Sequence, residues 1–303
     1  LGSSYVTRSP NAADSRMVNL FPEIVPEGGK QPAWLQRAPG LRFLQTLGAG
    51  PVRGLWTFNG KAFAVSGTTL YEIDTDWNIT SRGAIASGDN VNMTDNGTQM
   101  FIATGAHGYV YDSVTHVLTE LTTNFYGAVG CGYIDGWFVF NQPDSQIFWV
   151  MDSTGTTIDP LYFASAEGSP DNLVTLIVDH REIWLFGTNS VEVWYDAGLP
   201  DFPLARIQGA FNEIGCIAAY SVAKLDNGLF WLGADARGNG IVYRSKGYSG
   251  ERVSTHAVEW QIQQYATLAD AVGYTYQQDG HSFYVLNFRS EEHTSELQSH
   301  HDL

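Results

Sequence analysis

Lysine and arginine are scarce in this chain: 16 in 303 residues, against 32 aspartates and glutamates, for a formal net charge of −16. A surface with that balance repels phosphate backbones, so direct, sequence-specific nucleic-acid binding is not expected, and the few basic residues read as scattered. Cysteine is scarcer still. Cys131 and Cys216 stand far apart, each in an apolar stretch, which excludes a disulfide framework and a thiolate zinc site and makes both read as small buried hydrophobes. No run approaches the ~20 apolar residues of a membrane helix, and no stretch has a strong amphipathic-helix period.

Catalytic equipment is missing too. There is no Gly-x-Ser-x-Gly elbow, and Gly238-Asn239-Gly240 lacks the Lys-Ser/Thr partner and following helix of a phosphate loop. His107, His116, His180, His256 and His281 are single and widely spaced, so each reads as a loop or core histidine. Asp74-Thr75-Asp76-Trp77-Asn78 alternates oxygen ligands but lacks the central Gly and distal Glu of a calcium loop, so a strand-end turn is expected. The chain reads as a non-enzyme with no metal and no cofactor.

What the sequence does have is aromatic strand: 44% of its residues are hydrophobic and 13% aromatic. In residues 177–196, Ile183-Trp184-Leu185-Phe186 is apolar on both faces, as in a covered strand. The next run alternates, with Val191, Val193 and Tyr195 on one side and Glu192, Trp194 and Asp196 on the wetter one. The same unit recurs. Asn59-Gly60, Asn96-Gly97, Asp135-Gly136, Asn227-Gly228 and Asp279-Gly280 are type I′ hairpin signals, each followed by an aromatic-rich run. With His180-Arg181 as the copy that lacks glycine, and so a longer or different turn, the turns lie between 37 and 52 residues apart. That period fits propeller blades.

The fold class expected is therefore all-β, a β-propeller of about six four-stranded blades, or seven. Residues 51–288 form it, with the last blade cut short after its second strand and an open edge over Ser282–Phe288. Residues 1–50 read as an extended arm, because six of the eleven prolines fall by Pro51. One of its apolar pieces, Met17–Phe21 or Leu41–Leu44, is a candidate to add a strand to the last blade. Residues 289–303 break the pattern and resemble read-through of a sequencing adapter, so His293, His300 and His301 are set aside as a metal cluster. With the tail's four acids and one Arg removed, 28 acidic residues stand against 15 basic, a net −13.

Two turn-rich loops, 163–172 and 196–214, are the expected partner contacts. Their candidate residues are Glu167, Ser169, Asp171, Asp201, Phe202, Arg206, Phe211 and Glu213, with Phe202, Arg206 and Phe211 as anchors or as ordinary core residues. Propellers also host glycosidases, which need two facing carboxylates. Asp179 and Glu182 flank a hairpin turn and Glu167, Asp171, Asp201 and Glu213 lie in loops, and on these carboxylates a second reading rests, a carbohydrate-binding or glycoside-hydrolysing propeller, with Glu167 and Asp171 as the residues to substitute; a sialidase-type Ser-x-Asp-x-Gly-x-Thr-Trp repeat is absent.

The order of the unusual segments resembles the packaged-DNA stabilization proteins, the tail-hub family of short-tailed bacteriophages. The likeness runs from Asn19 to Phe288. Asn19-Leu20-Phe21-Pro22, Pro39-Gly40-Leu41, Arg53-Gly54, the run Ala164 to Asp171, Ser190 to Tyr195 and Glu213-Ile214-Gly215 carry it. The resemblance implies a virion tail protein assembled in the host cytoplasm, forming a ring, hexameric in the family. Its implied partners are portal and adaptor ring proteins, the tail needle and tailspikes. It implies no catalytic residues.

Overall fold

The computed structural model describes residues 19–25, 31–235 and 238–289, and the backbone of 297–299. Pro10, Met17, Val18, Pro26, Gly28, Gly29, His293, His300 and His301 lie outside the described residues, as does most of the 289–303 tail.

The arm contributes one hairpin, β1 (Leu20–Ile24) and β2 (Ala33–Arg37). Blade 1 is β3 (Val52–Phe58), β4 (Lys61–Ser66), β5 (Thr69–Ile73) and β6 (Ile79–Ala84). Blade 2 is β7 (Asn92–Asp95), β8 (Gln99–Ala103), β9 (Gly108–Asp112) and β10 (Leu118–Leu121). Blade 3 is β11 (Cys131–Ile134), β12 (Trp137–Asn141), β13 (Ile147–Asp152) and β14 (Phe163–Ser165). Blade 4 is β15 (Leu173–Asp179), β16 (Glu182–Gly187), β17 (Val191–Asp196) and β18 (Leu204–Asn212). In blade 5 the first strand is broken into β19 (Gly215–Cys216) and β20 (Ala223–Leu225). Both pair with β21 (Gly228–Asp235), which continues to β22 (Gly238–Lys246) and β23 (Ser249–Arg252). A short helix, α1 (His256–Ile262), capped by Thr255, leads to blade 6. Blade 6 holds β24 (Ala271–Gln278), β25 (His281–Phe288) and β26 (Leu297–Ser299), three strands where the other blades have four or more. The edge expected to be open over 282–288 is paired with β26 at Tyr284, Val285 and Leu286.

Aromatic and branched side chains from neighbouring sheets form one apolar layer per junction. Phe63, Val65 and Leu70 meet Met93, Ile102 and Tyr111 between blades 1 and 2, and Phe101 and Val110 meet Phe138 and Phe140 between 2 and 3. Phe148 and Val150 meet Ile183 and Leu185 next, then Trp184, Phe186 and Val193 meet Trp231 and Tyr243, and Phe230 and Leu232 meet Tyr284, Leu286 and Phe288. At roughly 1.5–3 kcal/mol per buried large side chain, these layers dominate the stability of the ring. Polar pins supplement them. Arg53 on β3 is buried and donates to the carbonyls of Gly67, Ala86 and Asp89, while the next residue, Gly54, sits so near β7 that a Cβ would lie 2.7 Å from the Val91 carbonyl.

The remaining junction is different. Among the described residues, no apolar cluster joins blade 6 to blade 1, and Leu55 on β3 is 67% exposed. The arm covers the free face of blade 6: Phe21 is fully buried against Phe283 and Val285, Glu23 pairs with His281, and Gln36 bonds Asp279. The expectation that an arm segment adds a strand to the last blade is thus corrected. The arm forms its own sheet and docks through side chains.

The turns also differ from expectation in two places. His180 and Arg181 form a two-residue connection between Asp179 and Glu182, both with positive φ (48° and 62°), the same geometry as Asp135-Gly136. No longer turn is needed, because Asp179 accepts from His180 and Asp135 from Arg181, and these contacts hold the left-handed backbone. In blade 5 the positive-φ pair is Asp226-Asn227, one residue before the expected Asn227-Gly228.

Candidate functional site

Strand β18 edges blade 4, and it does not follow β17 evenly. Glu192 pairs with Phe211 and Trp194 with Arg206, so Val193 faces four residues, 207–210, which bulge outward around Gly209 (φ 84°). Glu192 was expected on the wet side of its strand; instead its side chain is 3% exposed. Desolvating a carboxylate is costly unless it is bonded. Its oxygens accept from Gly168 N (3.1 Å) and Trp194 Nε1 (3.0 Å), and Arg206 Nε lies 3.2 Å away. The Arg206 guanidinium also lies over the Phe211 ring, 5.6 Å from its centroid. A Cβ at Gly168 would stand 2.5 Å from Glu192 Oε2 and 2.7 Å from Arg206 Nη2, so a larger residue would have to push this carboxylate and guanidinium aside.

Asp171 fixes the other end of that loop. Its Oδ2 accepts from the backbone of Asn189 (2.7 Å) and Ser190 (3.1 Å), and its Oδ1 from Ser190 Oγ (2.9 Å). The side chain is buried and caps the β16–β17 turn. Further bonds tie the loop to blade 3: Ala166 N to Gln146 O, Leu173 N to Ser145 O, and Gln146 Nε2 to Ser169 O.

The eight candidate residues therefore divide. Asp171 is buried, and Phe202, Arg206 and Phe211 are half-buried, with Phe202 against Phe148. Ser169 is half-buried, while Glu167, Asp201 and Glu213 are exposed. Glu167 and Asp171, the two carboxylates chosen to test the carbohydrate reading, are not alike: one is open to solvent and the other is committed to a turn. Sequence reasoning missed Glu192, the hub of the clasp.

A polar cleft of about 450 Å³ opens among the hairpin turns of blades 4, 5 and 6. Asp179, His180, Lys224, Asp226, Asn227, Thr275 and Gln277 line it. The hydrogen bond that His180 donates to Asp179 raises the exposed imidazole above its ordinary pKa. Lys224 Nζ lies 3.5 Å from Asp179, and Asp226 accepts from Ser282 and Gln277. These contacts knit the turns of adjacent blades together. Elsewhere His107 pairs with Glu120, His116 with Tyr111, and His256 with Arg252 and Glu259. Asp74 accepts from the backbone of Asp76 and Asn78, a side-chain-closed turn at the end of β5.

Six radial sheets, stacked through aromatic layers and locked by polar clasps, define a β-propeller scaffold. Its irregular edges are the bulged β18 and the loop clasped beside it. The chain belongs to the phage stabilisation family: the family model described as bacteriophage P22 Gp10, beta-propeller, matches residues 2–295. It is thus a bacteriophage structural propeller, and the membership points to a non-enzymatic role. None of the curated proteins compared with it matches in sequence. Among solved structures, U3-55K is similar at 10% identity with a TM-score of 0.50, covering 82% of this chain and 77% of that one. The RRP9 WD40 repeats are similar at 10% identity and TM-score 0.50, with 84% and 82% covered. The extracellular domain of BT4673 from B. thetaiotaomicron is similar at 8% and 0.50, with 77% of this chain and 31% of that one covered. At such identities the likeness shows the fold alone.

Proposed function

We propose that this protein is a tail hub that closes the portal channel after genome packaging and carries other tail parts. The observation that carries this reading is family membership over residues 2–295. The acidic balance, 32 against 16, supports a mechanical mode of retention: a plug built from protein contacts rather than a grip on phosphates. The expected setting is the virion tail, with portal and adaptor ring proteins, a tail needle and tailspikes as neighbours, and the chain repeated as a ring, six-fold by resemblance. The exposed residues of the clasped loops, Glu167, Asp201 and Glu213, are the contacts this reading assigns. The carbohydrate reading draws less support, because Asp171 serves the β16–β17 turn.

The test is reconstitution. Mixed with a portal–adaptor assembly from a short-tailed phage, the protein should co-sediment as a ring and block DNA release from filled heads. A protein that stays monomeric and leaves DNA release unchanged would sink the proposal.

A further inference from the structure

Between Arg82 and Arg181 the sequence contains no lysine or arginine, while aspartate and glutamate occur 11 times. Basic residues are therefore not scattered evenly. The stretch includes all of blades 2 and 3, so these two blades, one sector of the ring, supply acidic side chains and no basic one of their own.

An aromatic patch lies at one rim of that sector. Trp149 on β13 is buried, with its Nε1 donating to Gln142 Oε1 at 3.1 Å. Tyr126 stacks on it at 5.2 Å between centroids, and Phe163 packs on it at 5.1 Å. Both outer rings face solvent: Tyr126 is 57% exposed and Phe163 43%, with Leu161 nearby in sequence at 77%. Rings placed in water rather than in the layer beneath them mark an interaction surface when they are grouped and edged by polar residues. Here the edge is acidic. Gly127, next to Tyr126, lies so close to the Pro143 ring that a Cβ there would stand 2.9 Å from it, and Asp144 follows Pro143 in sequence. The carbonyls of Gln146 and Ser145 accept from Ala166 N and Leu173 N, so Glu167 directly follows a residue that is bonded two positions from Asp144. Asp144 and Glu167 are both exposed.

We propose that this rim docks an extended, arginine-bearing segment of a partner protein. Guanidinium planes stack on aromatic faces and pair with carboxylates at once, which the compact, strongly hydrated ammonium of lysine does less well. Nucleic acid is a poor occupant for a rim whose own blades supply no basic residue, and the nearby Arg206 and Arg181 are already paired with Glu192 and Asp135. The charge of the sector attracts a basic segment from a distance, and the two rings give it a seat. The inference goes beyond the hub reading and does not depend on it, since any basic partner tests it.

The probe is a short fluorescein-labelled peptide of alternating arginine and glycine, titrated against the whole chain by anisotropy beside a lysine–glycine peptide of equal length. The arginine peptide should bind more tightly. Tyr126→Ala and Phe163→Ala should each weaken it about tenfold, Tyr126→Phe should keep it, and Asp144→Asn with Glu167→Gln should flatten its salt dependence. Asp76→Asn, on a blade 1 turn, should change nothing. Equal binding of both peptides that ignores the two alanine variants, or no binding, overturns the proposal. So does self-association, seen by sedimentation, that Tyr126→Ala abolishes, because a second copy would then be the occupant.

Discussion

Replacing Phe21 by alanine should release the arm without unfolding the ring. Phe21 is fully buried, with its ring 5.3 Å from Phe283 and 5.1 Å from His281. Truncating such a side chain forfeits about 3–5 kcal/mol. Among the described residues, the Glu23–His281 pair and the Gln36–Asp279 bond stay in place, each worth about 1 kcal/mol or less. An isolated two-stranded hairpin is marginal in water, so the docked population should fall by about two to three decades. Hydrogen exchange measures this directly. Amides paired across β1 and β2, such as those of Phe21 and Gln36, should lose a hundredfold or more of protection, while β8, β12 and β16 keep theirs. Global melting should drop by no more than the docking energy of the arm. If the urea midpoint instead reports the full 3–5 kcal/mol and β1–β2 exchanges no faster than the blades, the arm is integral to the cooperative unit and the reasoning fails.

Asp171→Ala should cost about 2–3 kcal/mol, since it leaves two backbone donors and the Ser190 hydroxyl without their acceptor; a melt unchanged within about 0.5 kcal/mol would contradict the capping role. Changing His180-Arg181 to Asn-Gly should raise the urea midpoint by about 1 kcal/mol, less a small loss from the exposed Arg181–Asp135 pair. A fall would mean that those contacts outweigh the backbone strain. Acid should weaken blade 1, where Glu72 on β5 pairs with Lys61 and Arg82. Burial acts to raise the Glu72 carboxyl, but hydrogen bonds from Arg82 and Lys61 outweigh it and hold its pKa at about 2, below the ordinary 4.5. Its contribution is therefore full above 4.5 and lost as pH falls through about 2. Glu72→Gln should flatten the slope of stability against pH in that window, and an unchanged slope would show that other carboxylates set it.

The blades were legible because hairpin chemistry is local. An Asn-Gly or Asp-Gly pair before an aromatic run needs only a few residues to be read, and it marks Phe58–Lys61 and Ile134–Trp137 as tight turns. The burial of Glu192 was not legible, because it depends on Gly168 and Arg206, brought to it by a loop and by a bulge that no periodicity announces. The same holds for the His180-Arg181 turn. Its left-handed pair is held by Asp135 of the preceding blade, whereas glycine would have announced itself. The exposed aromatic rim falls between these cases: a count of Lys and Arg shows the acidic sector, but only the fold sets Tyr126 and Phe163 on either side of Trp149.

The seat of the arm has a consequence in time. Glu23 and His281 are separated by 258 positions, and a ribosome adds roughly 5–20 residues per second. The apolar ring of Phe21 therefore leaves the ribosome roughly 10–50 seconds before the surface that receives it exists. Throughout that interval the nascent hairpin is a free, sticky end beside blades that are already stacking in order. Docking of the arm is accordingly a late event of synthesis, and a chaperone that shields short apolar segments would find its substrate here, early and at one defined place.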